Sequence, residues 1–508
     1  MTPRTLAATL TLATALAACS AAPAPNSLSA GGTAGGTSTG GSTTGVTPAG
    51  TTGVPALGTT GTTPRGGTSG SGASTSGTGT SGTGGTTSGT TSATGGTTST
   101  GGTVPNVNVP QPPPGGGAEG STLFSGAANV EGITPTSITM CAHAALTYGA
   151  AFNTKDTDFN VFWQAVSEEK GGIFGRKVNV TYEDDKYTPT DAVIAAQKCA
   201  DKGIFMLLGG IGFDQIPAVR NWAESHKMLY LHHTATVEGS AGLKYSFTEL
   251  PTVERMGDGF AQLYLSKFKG KKVGIIERDG VNWKPGADHF KAGLKKAGFA
   301  DKIVADQKVA DKKGNYTSDI LAMKNAGAEV VFLWENALNG LEYLKQSKAQ
   351  QYSPNYMAFP FNLASQTLGS DAMTPPLDGV AMYPAYSKGD YAGSFSSYAD
   401  DVKLFEAQYA KYDSGVDLGG VGGDLLFLNW TAQKALYAQL LACGKDCTRN
   451  KFIDVLQTYH SRPTSSACLI DFTHGDGHHG ADELNFMETY NSPSGKVNWR
   501  NTQACVKP

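Results

Sequence analysis

The sequence predicts an α/β protein with two doubly wound lobes, preceded by a long disordered segment. Strand-like apolar runs alternate with helical repeats in two successive series after about residue 129. Repeated strand–helix units with short connections are typical of parallel sheets covered by helices. The length that remains, about 380 residues, is too large for one compact core and suits two lobes.

The chain begins with a basic residue, Arg4, followed by a short apolar run and the small residues before Cys19. This order is typical of a secretory signal, and the apolar run is too short to cross a bilayer as a lasting helix. A cysteine directly after Leu-Ala-Ala resembles the lipobox of bacterial lipoproteins. The resemblance implies a signal peptide over 1–18 and lipidation of Cys19; an ordinary signal peptide with an incidental cysteine is the alternative.

Residues 19–128 are almost entirely Gly, Thr and Ser with some Pro and Ala. The segment lacks the apolar side chains that would offset the entropy of ordering, so we expect a disordered tether. About 100 such residues have a root-mean-square span of about 50–60 Å. The net charge of −3 provides no positive electrostatic potential that would attract nucleic acid, so nucleic-acid binding is not expected.

The first series is predicted from helical spacing and caps. Phe159, Phe162, Trp163 and Val166 recur at helical spacing before a Gly-Gly stop, and Thr188 caps a helix that has Pro at its first position. The predicted elements are strand 137–141, helix 159–170, strand 177–183, helix 189–202, strand 205–208, helix 214–225 and strand 228–231.

The second series follows the same alternation. The predicted elements are helix 252–267, strand 272–277, helix 285–297, helix 317–326, strand 329–333 and helix 339–349. In open sheets of this kind ligands bind outside the carboxyl ends of the strands. We therefore expect a cleft at the loops that follow Cys141, Leu208, Leu231, Glu277 and Leu333.

Six cysteines remain after Cys19, and an even number in an exported protein suggests disulfides. By order and expected proximity we favour Cys141–Cys199, Cys443–Cys447 and Cys468–Cys505 among the fifteen connectivities that six cysteines allow. A zinc site is the rival interpretation, but there is no second close pair. No metal is predicted either at the cluster formed by His474, Asp476, His478 and His479, which matches no defined ligand spacing.

Several segments, in order, resemble one known family. They are the strand opening at 132–138, the Gly-Gly-Ile-Phe-Gly-Arg turn within 168–178, the acidic turn at 183–189, and 273–276 with Trp283 and Gly286. Residues about 133–505 thus resemble type I extracytoplasmic (periplasmic) solute-binding proteins of ABC importers, of the leucine/isoleucine/valine- or amide-binding kind.

This resemblance implies two Rossmann-like lobes joined by a hinge, which close on a small solute and dock on a permease. Lobe 1 would comprise 129–250 and about 380–460, and lobe 2 would comprise 251–379 and about 461–508.

The resemblance also implies the solute contacts. First-lobe donors fall at Thr147, Tyr148, Gly209, Gly210, Ile211, Gly212, Thr234, Ala235 and Thr236. The family's amino-acid binders hold the ammonium with an acid in a second-lobe loop, where this chain has Asn339; Glu335 could substitute. Trp334, Tyr148, Phe213 and Trp283 could form an aromatic wall, with packing as the alternative for Trp334 and Glu335. One of His232 and His233 could face the solute.

The predicted function is a lipid-anchored extracytoplasmic solute-binding protein that passes a small amino acid, amide or related solute to an ABC permease. The expected partners are that solute, the permease and the membrane through the lipid anchor; no cofactor, nucleic acid or catalysis is expected. A sensory or receptor lipoprotein with the same module is the alternative. A cell-surface hydrolase is a further one, although the globular part has no Gly-x-Ser-x-Gly or His-Glu-x-x-His.

Overall fold

The computed structural model describes residues 122–147, 155–210, 212–232, 243–311, 313–360, 376–391, 398–419, 422–473, 478–493 and 495–508. Two mostly parallel sheets with helices form the described part, which confirms the predicted fold class. Cys19, the predicted signal peptide and tether residues 19–121 lie outside the described residues. Within the described part, no helix combines the length and the apolar character needed to cross a membrane.

The tether was predicted to reach residue 128, and this end point is wrong. Residues Gly126–Asn129 form a 3-10 turn, and Phe124 is buried against Tyr245 with ring centroids 5.4 Å apart. The Phe124 backbone N–H donates to Asn450 Oδ1 at 2.9 Å, and Asn450 Nδ2 donates back to the Phe124 carbonyl at 2.8 Å. One aromatic side chain with a distant amide partner therefore orders a segment whose composition predicts disorder.

The first sheet is parallel throughout and has the strand order β2-β1-β3-β4-β5. Its strands are β1 Ser137–Ala144, β2 Lys177–Asp184, β3 Leu207–Gly209, β4 Tyr230–His232 and β5 Ser246–Thr248. The helices that alternate with them are α1 Asp156–Phe159, α2 Val161–Glu169, α3 Pro189–Ala200 and α4 Gln215–His226.

The second sheet has the order β14-β13-β10-β9-β8-β6-β7, with β13 antiparallel to both of its neighbours. Its strands are β6 Val273–Arg278, β7 Ile303–Val309, β8 Val330–Trp334, β9 Asn355–Ala358, β10 Leu377–Ala381, β13 Leu484–Asn491 and β14 Val497–Val506. Its helices are α5 Val253–Leu263, α6 Lys284–Lys296, α7 Thr317–Asn325 and α8 Ala337–Ala349.

The chain then returns to the first sheet through a group of helices. These are α9 Ala399–Tyr412, α10 Gly423–Cys443 and α11 Arg449–Gln457, and both α9 and α10 pack against α2. A short antiparallel pair, β11 His460–Ser461 and β12 Ile470–Asp471, precedes β13. Three segments thus connect the two sheets: one after β5, one after β10 and one between α11 and β13.

The boundaries differ from the predictions where tertiary contacts decide them. The strand predicted at 205–208 pairs as Leu207–Gly209, with Phe205 buried just before it. The helix predicted over 252–267 is α-helical only to Leu263 and ends in a π-helical turn, Tyr264–Phe268. The capped helix over 189–202 is present as Pro189–Ala200, with the Thr188 side chain accepting from the Asp191 N–H.

The six cysteines form the disulfides Cys141–Cys199, Cys443–Cys447 and Cys468–Cys505, the pairing expected from the sequence. The first joins β1 to α3, the second joins the end of α10 to the turn before α11, and the third ties the segment before β12 to β14.

Candidate functional site

The carboxyl edge of the first sheet carries a glycine turn that only glycine fits. A Cβ atom on Gly210 would lie 2.6 Å from the His143 carbonyl oxygen and 3.0 Å from Asp185 Oδ2. Gly212 has a φ of +118°, in the region that favours glycine. Helix α4 begins directly after this turn, so its N-terminal dipole points toward the edge of the sheet.

A buried polar network supports this turn from below. His143 Nδ1 lies 2.9 Å from Asp185 Oδ2, and its Nε2 lies 2.8 Å from the Tyr230 hydroxyl. The Gly210 N–H donates to the same Nε2 at 3.3 Å. All three side chains are fully buried, and burial together with the Asp185 charge raises the pKa of Tyr230 well above its usual value. The network fixes the position of Gly210 relative to β1 and β4.

Sequence reasoning missed this network because its members lie far apart in the chain, with His143 and Tyr230 inside strands and Asp185 just after one. The only available signal was a histidine among apolar residues close to the end of β1. His232, by contrast, was singled out; it is buried in β4 and its ring lies 5.2 Å from that of Tyr230.

Thr147 lies on the loop after β1, at the same edge of the sheet. Its hydroxyl donates to Asp184 Oδ2, and the neighbouring Leu146 N–H donates to Asp184 Oδ1 at 3.0 Å. Asp184 at the end of β2 therefore holds this loop in place. The remaining first-lobe candidates, Tyr148, Ile211, Thr234, Ala235 and Thr236, lie outside the described residues, as do His233, His474 and Asp476.

The carboxyl edge of the second sheet carries a buried acid next to Asn339. Glu335 follows β8 and is 2% exposed. Its Oε2 accepts from Asn339 Nδ2 at 3.1 Å and from the Asn336 N–H at 3.0 Å. Asn336 also caps α8. Burial raises the pKa of Glu335 to about 8, despite these two hydrogen bonds, so the side chain is largely neutral at pH 7.

Phe213 and Asp214, which follow the glycine turn of the first sheet, contact the second sheet. The Phe213 ring centroid lies 4.6 Å from Trp283, 5.8 Å from Trp334 and 6.0 Å from Phe359. Asp214 accepts from Asn282 Nδ2 at 3.0 Å and from Trp283 Nε1 at 3.4 Å. The two carboxyl edges are therefore joined directly by side chains of this protein.

The expected aromatic wall consequently does not line open space. Trp283 and Trp334 are 1% and 0% exposed, and Trp334 Nε1 donates to the Trp283 carbonyl at 2.7 Å. Phe213 is buried against both. The prediction that these side chains form an open wall is therefore wrong, because their aromatic surfaces are covered by other residues of the protein.

A small cavity lies between the first-sheet edge and α10. Asn429 and Gln433 of α10 line it together with His143, Gly210 and Tyr182. Gln433 Nε2 donates to the Phe159 carbonyl at 2.7 Å. These two amides also escaped sequence reasoning, because nothing in the sequence places α10 beside β1.

Two features considered for metal binding have other roles where the structure describes them. His478 stacks on Phe247 at 4.3 Å and its Nδ1 lies 2.9 Å from the Ser246 carbonyl. In the described part of the chain, the close group of potential ligands is Cys468, Glu483 and Cys505, and its two cysteines are joined as a disulfide.

Comparison with known proteins identifies the class. The chain matches the periplasmic binding protein family over residues 159–495 and belongs to it. Two mostly parallel sheets, facing one another through their carboxyl edges, make it a type I periplasmic binding protein.

One curated relative is Leu/Ile/Val-binding protein homolog 3 of Brucella melitensis, 29% identical over 169 residues. The match covers 33% of this chain and 45% of that protein, so the chain spans less than half the length of this relative.

Two solved structures share the fold. The fatty acid ABC transporter substrate-binding protein of Thermomonospora curvata aligns with a TM-score of 0.60 at 15% identity, over 75% of this chain and 95% of that one. A branched chain amino acid ABC transporter protein of Thermus thermophilus with bound valine aligns with a TM-score of 0.58 at 13% identity, over 74% and 98%. At these identities the likeness concerns the fold alone.

Proposed function

We propose that the protein is a lipid-anchored extracytoplasmic solute-binding protein that captures a small amino acid, amide or related solute between two lobes and delivers it to an ABC permease. Membership of the periplasmic binding protein family and the name of the Brucella relative support an amino-acid-type solute. The lipid anchor rests on Cys19 and the sequence before it.

The observation that carries the proposal is that the carboxyl edges of the two sheets face each other and present different chemical groups. The first-sheet edge offers a glycine turn at the N-terminus of α4, an environment that favours a carboxylate or carbonyl oxygen. The second-sheet edge offers Glu335, which accepts from Asn339 Nδ2 and whose carboxyl oxygens are suited to accept from an ammonium or amide N–H. A solute with both groups would bridge the edges, and its contacts would favour the closed form.

A thermal-shift screen of the twenty amino acids, their amides and short aliphatic amides tests this function. A ligand at a hundredfold excess over its Kd stabilises the folded state by about 2.7 kcal/mol, which raises the melting temperature measurably. Melting curves that stay flat across the whole library would overturn the proposal. Mass spectrometry of any solute retained through purification identifies the native one.

Glu335 gives the proposal a pH signature. If an ammonium binds beside it, the carboxyl must ionise, so binding releases a proton below the raised pKa of about 8. We expect affinity for a cationic solute to rise as the pH increases from 6 to 8, by up to about tenfold per unit. Calorimetry in buffers of different ionisation enthalpy measures the released proton.

The matched variants are Glu335→Gln and Glu342→Gln, the latter on α8, where its carboxylate accepts from Gln346 Nε2 at 2.7 Å. Glu335→Gln should abolish the proton release and flatten the pH dependence, whereas Glu342→Gln should change neither. An unchanged pH profile in Glu335→Gln would remove Glu335 from the solute site while leaving the screen result intact.

A further inference from the structure

An aromatic box on the second-sheet side is filled by a residue from the first-sheet side. The box consists of Trp283, Trp334 and Phe359, and the side chain that fills it is Phe213. Phe213 is 5% exposed and its ring is nearly parallel to those of Trp334 and Phe359, with interplanar angles of 26° and 29°. Pairs with such centroid distances contribute about 0.5–1.5 kcal/mol each beyond the area they bury.

The walls of the box are held independently of Phe213. Trp334 Nε1 is bonded to the Trp283 carbonyl at 2.7 Å, and Trp334 also packs on Phe260 and Phe332 within the second lobe. The Arg278 guanidinium lies over the Trp283 ring at 4.8 Å. Removal of the Phe213 ring should therefore leave a shaped apolar space rather than a collapsed one.

The next residue, Asp214, makes polar contacts with the same part of the second lobe. Asp214 accepts from Asn282 and Trp283, and its Oδ2 lies 3.5 Å from Arg278 Nη2. These donors lie at the end of β6 (Arg278) and in the loop between β6 and α6 (Asn282 and Trp283). Phe213 and Asp214 are adjacent. When the two sheet edges come together, the polar contacts of Asp214 therefore form and the Phe213 ring enters the aromatic box.

Phe213 also lies three residues after Gly210, on the turn where the proposed solute would bind. We propose that Phe213 determines solute specificity: its ring takes the aromatic box that the side chain of a large apolar solute would otherwise occupy, and so restricts the protein to solutes with small or polar side chains. The role in solute specificity rests on the proposed function. The test of the aromatic box does not, because it needs no native solute.

The test uses indole as the probe and the full chain with Phe213→Ala. An apolar cavity of about 150 Å³ stays dry and binds benzene-sized molecules, so Phe213→Ala should bind indole at least tenfold more tightly than the unmodified protein. Phe213→Leu is the matched control, because its side chain keeps the box filled, and it should not gain indole binding. Calorimetry and quenching of tryptophan fluorescence measure both.

A folded Phe213→Ala protein that binds indole no better than the unmodified protein would overturn the inference. If Phe213→Ala melts too low for titration, its melting temperature is compared with and without indole, and the absence of an indole-dependent rise beyond that of the unmodified protein would count against the inference. Once a native solute is known, the ratio of phenylalanine affinity to alanine affinity should rise at least tenfold in Phe213→Ala, and an unchanged ratio would also overturn it. Indole binding can be measured without knowing the native solute. A negative result in the solute screen can therefore be told apart from a negative result in the indole test of Phe213.

Discussion

At the scale of single residues, Asp401 shows how a buried charge stabilises this protein. It lies in the first turn of α9 with its side chain 5% exposed. Its Oδ2 accepts from Thr464 Oγ1 at 2.6 Å, Ser465 Oγ at 2.9 Å and the Ser466 N–H at 2.8 Å, and Oδ1 is paired with Lys434. Burial alone would raise the pKa of Asp401, but the bonds from Lys434 and Thr464 lower it below the usual value.

We expect Asp401→Asn to lower the free energy of unfolding by about 2–4 kcal/mol at pH 7, because it leaves buried donors and Lys434 without their carboxylate. The lowered pKa means that this stabilisation is present above the unfolded-state pKa of about 3.9 and disappears as the pH falls through the folded value. Denaturant unfolding at pH 7 and at pH 3 should show the difference from the unmodified protein shrinking at pH 3.

Asp400→Asn is the matched control for Asp401→Asn. Asp400 is adjacent, in the same helical turn, and its side chain is 98% exposed, so we expect a change within about 0.5 kcal/mol. Equal losses in the two variants would contradict the role given to the buried carboxylate.

Single residues of the site were predicted unevenly, for a physical reason. Gly210, Glu335 and Asn339 follow predicted strands, and the edge of a parallel sheet is where such residues meet. His143 and Tyr230 are 87 positions apart, and only the pairing of β1, β3 and β4 brings them together. Phe213 from the other sheet packs against Trp283 and Trp334, a contact that no local pattern encodes.

At the scale of elements, local signals located helices α2 to α8 and the parallel strands β1 to β4, β6 and β8. The Thr188–Pro189 start of α3 and the glycines after α2 and α6 are chemical boundaries that act locally. Several strands went unpredicted, and two of them, β13 and β14, form an antiparallel extension of the second sheet. The pairing of β13 with β10 joins residues more than 100 positions apart in the chain. Periodicity in the sequence gives no information about contacts between such distant segments.

The cap of α3 gives an element-scale prediction. Thr188 Oγ1 accepts from the Asp191 N–H at 3.1 Å, so Thr188→Ala should lower the free energy of unfolding by about 1 kcal/mol. Thr190→Ala, at an exposed position in the first turn, should leave it unchanged within about 0.5 kcal/mol. Denaturant titrations of both variants check this, and a larger loss in Thr190→Ala would refute the cap.

At the scale of the whole molecule, the disulfides constrain the unfolded chain to very different extents. Cys141–Cys199 closes a separation of 58 residues, and Cys443–Cys447 closes one of 4. All four side chains are buried, so replacing either pair removes similar packing. The loop-entropy relation gives about 4 kcal/mol for the first bridge and about 2 kcal/mol for the second.

We therefore expect the pair Cys141→Ala with Cys199→Ala to lose more stability than the pair Cys443→Ala with Cys447→Ala, by about 2 kcal/mol. Chemical denaturation of the two double variants under identical non-reducing conditions measures the difference. Equal losses, or the reverse order, would show that local strain or packing outweighs chain entropy at these bridges.

The first sheet depends on residues from the end of the chain. Beyond β5, the Thr248 N–H donates to the His478 carbonyl at 2.9 Å, and the Gly480 N–H donates to the Thr248 carbonyl at 2.8 Å. Helices α9 and α10 cover α2 on the same sheet. A polypeptide that emerges N-terminus first can pair β1 to β5 by residue 248. The contacts that protect the β5 edge of this sheet, however, form only after about residue 480 has appeared. Contacts between residues so far apart in the chain are expected to form late in folding, so the N-terminal half alone lacks part of the packing that stabilises it.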